Sequence, residues 1–120
     1  MNIQHHLEKV RSYFSPKVIE EVNDVFVKVA KIKGEDIPWH AHENEDELFY
    51  ILHGSLKMEL KDDPPFVMHK GDIFTVKKGV YHRVSSDEEC HIMLIENKTT
   101  AHTGDVFSPI TKSIQDQLGE

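Results

Sequence analysis

The chain has 120 residues, of which 38 % are hydrophobic and 29 % charged, the balance of one soluble globular domain. Fourteen Lys and Arg against 21 Asp and Glu give a net charge of −7, which argues against nucleic acid as a partner, because affinity for phosphate backbones comes mainly from accumulated cations. The longest uninterrupted apolar run, Leu48 to Leu52, is far short of the ~20 residues that cross a bilayer, and no secretory signal is expected at the start. The single Cys90 has no internal disulfide partner, which fits a cytoplasmic location. Nine histidines, scattered from His5 to His102 rather than gathered in a tag, suggest metal or proton chemistry.

In chain order, Ile3, Leu7, Val10 and Phe14 recur at helical intervals and predict a short amphipathic helix over about 2–14, stopped where Ser15 precedes Pro16. From Val18 the period changes to two. Val25 to Lys33 reads as a strand closed by Gly34, and Leu56, Met58 and Leu60 alternate with Lys57, Glu59 and Lys61. Asp62 to Pro65 form a turn, and further strands are expected at Phe66 to His69, Asp72 to Val76, Tyr81 to Val84 and Cys90 to Glu96. Short strands with almost no helix predict an all-β sandwich or closed barrel over about 18–97, followed by a tail over 98–120. In the tail, Thr99 to Asp105 reads as a loop, and Ser108-Pro109 could open a short helix through Leu118. No second domain is expected.

Trp39-His40-Ala41-His42 closes an extended stretch. Residues two apart in a strand share a face, so His40 and His42 present two imidazoles side by side. Glu47 follows a short polar loop and opens the next strand beside them, and the three make a facial set of metal ligands. Asp46 is the competing carboxylate, but it points away if Glu47 points inward. A fourth donor must come from elsewhere in the chain, and His82, just after Gly79, is the candidate. Phe49 shares the parity of Glu47 and should line the cavity, whereas Trp39 and Tyr81 have the opposite parity to their neighbouring histidines. His5, His6, His53, His69, His91 and His102 have no comparable spacing and read as surface or strand-face histidines. Lys77, Lys78 and Arg83 read as a solvated corner.

The spacing Gly34-x5-His40-x-His42-x4-Glu47-x6-Gly54 resembles the first motif of the cupin family, and Gly71-x5-Lys77-x-Gly79-x2-His82 resembles the second. Lys77 stands where the family usually has proline, and Ser86 where it often has asparagine. The resemblance implies a double-stranded β-helix (jelly-roll) barrel, one divalent metal on His40, His42, Glu47 and His82, and a homodimer. Three imidazoles and one carboxylate suit Fe, Mn, Ni, Zn or Cu better than Mg or Ca. A small-molecule substrate or ligand is expected. Three functions stay open: metal-dependent dioxygenase chemistry, non-redox isomerase or epimerase chemistry on a sugar or keto acid, and non-catalytic binding. Tyr50, Glu45 and His102 are the candidate bases for the second.

Overall fold

The computed structural model describes residues 2–100. One helix, α1 (Ile3–Glu8), precedes seven antiparallel strands: β1 (Lys17–Val22), β2 (Val25–Gly34), β3 (Glu47–His53), β4 (Ser55–Leu60), β5 (Phe66–His69), β6 (Ile73–Val76) and β7 (His82–Asn97). They form a two-sheet barrel: β1-β2-β7-β3-β6 makes one sheet and β5-β4-β7 the other, with β7 common to both. The expected tail helix and His102 lie outside the described residues. No helix among the described residues is long and apolar enough to cross a membrane.

Strand parity builds the core. Phe49 and Ile51 on β3, Leu56 and Met58 on β4, and Val84, Cys90, Ile92 and Leu94 on β7 meet in one buried cluster with Ala30, Ile32 and Phe14. Burial also pushes the Cys90 thiol up to about 12, so it sits there as an inert apolar group. Strand β2 is covered on its other face too, where Val29 packs against Leu7 and Val10. That apolar stripe is what α1 buries.

Two elements differ from their sequence expectation. The helix ends at Glu8 rather than Phe14, with Lys9 as its C-cap. Tertiary contacts capture the residues that follow: Tyr13 Oη donates to Glu89 Oε1 at 2.7 Å, and Phe14 N donates to Lys31 O at 2.8 Å. Phe14 therefore adopts a left-handed φ of 56° that no helix allows, and its ring is buried in the barrel. The helical spacing of Val10 and Phe14 reports burial, not helix.

The strands expected at Tyr81 to Val84 and Cys90 to Glu96 are one 16-residue strand. Its first part pairs with β4 through His82 to Ser85, and its second with β2 and β3 through Cys90 to Asn97. A register shift opposite Ile32 and Gly34 absorbs Asp87, Glu88 and Glu89, so the strand changes sheets without ending. Gly54 serves the same corner: at φ 79° its Cα lies so close to β7 that a Cβ would come within 2.7 Å of Glu89 O. The edge strand β1, signalled only by the change of period near Val18, completes the sheet.

Candidate metal centre

Backbone pairing brings the two histidine segments together. His40 N donates to His82 O at 3.0 Å and His82 N to His40 O at 2.8 Å, while Gly79 N donates to His42 O at 2.8 Å. Glu47 enters from the start of β3, whose inward parity it shares with Phe49 and Ile51. All four side chains are buried, and one ligand atom from each lies within 4.8 Å of the others.

The ring orientations are fixed from behind. His40 Nδ1 lies 2.8 Å from Pro38 O, and His82 Nδ1 lies 2.9 Å from Val80 O. A carbonyl can only accept, so Nδ1 carries the proton in both rings, and each Nε2 keeps its lone pair toward the centre. Nε2 of His42 and of His82 lie 3.3 and 3.5 Å from Glu47 Oε1. Neither Nε2 has a hydrogen-bonding partner, and His42 Nδ1 has none either. Unpartnered buried nitrogens facing a carboxylate fit a divalent ion, which would take their lone pairs and offset the carboxylate charge.

Electrostatics favour the ligating form of His40 and of Glu47. Burial, and then the neighbouring His82, lower His40 to about 4, so it stays neutral at ordinary pH. Burial alone would raise Glu47, but its contacts with His42, His82 and Glu96 outweigh that and hold it well below the usual carboxylate range. Phe49 meets His82 edge-on, with centroids 6.4 Å apart and planes at 83°, and so limits ring tilt. A cavity of about 40 Å³ adjoins His40 and Glu47, the polar members of its lining. Phe14, Ile37, Phe49, Val84 and Leu94 supply most of the rest.

The other candidates fall elsewhere. Asp46 points out, its Oδ1 accepting from Lys78 N at 2.9 Å and its Oδ2 lying 3.8 Å from Lys77 Nζ. Glu45 accepts from Thr99 Oγ1 at 2.8 Å. Tyr50 alternates with Glu47 and Phe49 and so faces away from the centre. Trp39 stacks on Tyr81 on the outside, under the guanidinium of Arg83, which in turn pairs with Glu59. His53 and His91 are cross-strand neighbours, and His91 contacts Glu89.

Two buried residues escaped the sequence reading. Lys28 Nζ pairs with Glu96 Oε1 at 2.7 Å inside the barrel, and Glu96 faces Glu47 across β3 and β7. Burial, and then the Glu47 carboxylate, raise Glu96 well above its ordinary value. The available signal was parity: Lys28 alternates in phase with Phe26, Ala30 and Ile32, and Glu96 with Ile92 and Leu94.

The comparisons agree with this geometry. The cupin-domain family model matches residues 29–96. The chain is 38 % identical over 80 residues to the uncharacterised protein YdbB of Bacillus subtilis, covering 67 % of this chain and 70 % of that one. Acireductone dioxygenase of Xenopus laevis is 36 % identical over 52 residues, which are 40 % of this chain and 29 % of that enzyme. Among solved structures, a cupin-2 domain protein from Shewanella frigidimarina superposes with a TM-score of 0.77 at 34 % identity, covering 81 % of this chain and 93 % of that one. With the barrel, both motifs and the match over residues 29–96 in agreement, the chain belongs to the cupin family.

Proposed function

We propose that this cupin holds one divalent transition metal on His40, His42, Glu47 and His82 and uses it in dioxygenase-type chemistry on a small oxygen-chelating molecule. The observation that carries the reading is the set of Nε2 lone pairs, oriented by backbone carbonyls behind the rings and converging beside Glu47 Oε1. The sequence likeness to acireductone dioxygenase supports the reaction class over the residues it spans. A bound redox-active ion would supply Lewis acidity and, at its open positions, a site for dioxygen and a chelating substrate.

The chain's own residues supply orientation and dryness. His40 and His82 are held in one tautomer by Pro38 O and Val80 O. Phe14 and Phe49 line the cavity and exclude water from the donors, which strengthens every charge interaction there. The apolar lining favours a substrate with a compact apolar body over a polyhydroxylated sugar, whose hydroxyls would need partners. A non-redox isomerase also needs a base at the centre, and of the candidates among the described residues, Tyr50 and Glu45 are turned elsewhere.

Oxygen uptake by protein loaded with Fe, Mn, Ni or Zn, measured across catechols and 1,3-diketones, tests this. Uptake with a redox ion and none with zinc is expected. Isomerisation that zinc supports equally would favour the Lewis-acid reading, and ligand binding without turnover would favour a binding module. We place the protein in the cytoplasm and as a homodimer, with β1, the sheet's edge among the described strands, carrying the exposed Val22. A monomer by light scattering at micromolar concentration would contradict the dimer.

A further inference from the structure

We infer that Lys28 and Glu96 are positioning residues for Glu47: a buried ion pair that steadies the carboxylate ligand from the side away from the metal. The inference rests on the metal reading above. Fold stability does not call for the pair, because well-packed apolar residues of similar volume serve a barrel interior as well or better. Both side chains are nonetheless almost wholly enclosed, at 1 % and 3 % exposure, with 2.7 Å between Lys28 Nζ and Glu96 Oε1. What the pair touches gives the reason for its burial.

Glu96 is the direct cross-strand partner of Glu47, where side chains on one face meet. Lys28 sits opposite Leu94 on β2, two residues along β7 from Glu96, so it reaches Glu96 diagonally. With Oε1 held by Lys28, the rest of the Glu96 carboxyl lies beside Glu47, its cross-strand neighbour on the same face. The chain of contacts therefore runs from Lys28 through Glu96 to Glu47, whose Oε1 faces the imidazoles. The pair acts on Glu47 through position: Lys28 fixes Oε1 of Glu96, which sits directly across from the carboxylate ligand. Neither residue lines the cavity beside the centre. Their influence on bound metal must pass through Glu47, as supports behind metal-ligating carboxylates generally do.

The test is cobalt(II) binding to the full chain, read both as an affinity and as the visible spectrum of the bound ion. In the double variant Lys28→Met with Glu96→Leu, an apolar pair replaces the ionic one, the barrel is retained, and the dissociation constant rises ~10–100-fold with shifted cobalt bands. Glu96→Gln alone still offers an oxygen to Lys28 and an amide to Glu47, and it returns affinity and bands toward wild type. If the apolar double variant fails to fold by circular dichroism, Lys28→Leu with Glu96→Met, which likewise leaves no polar group beside Glu47, is read by the same criteria. A folded double variant with wild-type affinity and spectrum would overturn the positioning role and leave the metal reading intact. Wild-type protein that binds no cobalt would overturn both.

Discussion

The two ends of the barrel interior are built by the same strands and the same parity, yet they hold opposite chemistry. Along β3 the inward residues run Glu47, Phe49, Ile51, and along β7 they run Glu96, Leu94, Ile92, Cys90. One end is an apolar layer of Ile51, Leu56, Met58 and Ile92, none more than 2 % exposed. At the other, His40, His42, Glu47, His82, Lys28 and Glu96 are enclosed almost as completely. Burying apolar atoms stabilises the fold at roughly 25 cal/mol per Å², whereas burying charges is costly unless they are paired. The apolar end therefore holds the barrel closed, and its stability makes the polar end affordable. The polar end holds the proposed metal site.

The largest effect should come from breaking the buried pair one-sidedly. Lys28→Met alone leaves Glu96 enclosed without its cation and should lower stability by about 3–5 kcal/mol, measured by urea unfolding. Leu56→Ala at the apolar end should cost about 2–5 kcal/mol through a cavity, while metal stoichiometry stays at the wild-type value in the folded fraction. Loss of stoichiometry there would erase the distinction between the two ends.

Acid sharpens the same contrast. His40 titrates near 4 in the fold and near 6.5 in the unfolded chain, so between those values the unfolded state binds more protons. Its contribution to stability is thus full above about 6.5 and is lost as pH falls through 4, worth up to about 3 kcal/mol. Glu47, held low, works in the same direction as carboxylates protonate. In chelator-treated protein the fall in urea midpoint from pH 6.5 to 4 should be smaller in His40→Gln than in wild type, with the raised Glu96 acting in the opposite sense in both proteins, and equal falls would contradict the neutral burial of His40. The smallest effect is expected for Asp46→Asn, within about 0.5 kcal/mol and with unchanged metal content, because the side chain faces solvent and Asn still accepts from Lys78 N.

The clustering of His40, His42 and Glu47 was legible because it depends on local rules: parity joins His40 to His42, and a short polar loop returns the chain at Glu47, whereas His82 was found through its place after Gly79. The strands β2, β4, β5 and β6 were legible from alternation and glycine punctuation for the same reason. Parity placed Lys28 and Glu96 on the buried face, but their charge masked that signal. Lys28 and Glu96 each resemble solvent-facing residues until β2 and β7 are placed side by side. The continuity of β7 was hidden by Asp87, Glu88 and Glu89, an acidic run that looks like a turn but is accommodated by a register shift. The early end of α1 was hidden because Phe14 keeps helical spacing while serving a cavity formed by residues from β2, β3 and β7.

Metal content after loading and exhaustive dialysis, compared between wild type and His82→Ala, bears most directly on the central claim that four side chains share one ion. One divalent ion per wild-type chain is expected, against almost none in a variant that still melts cooperatively, since the apolar layer does not depend on His82. Equal metal-to-protein ratios in the two proteins, or a wild type that retains no ion, would contradict it.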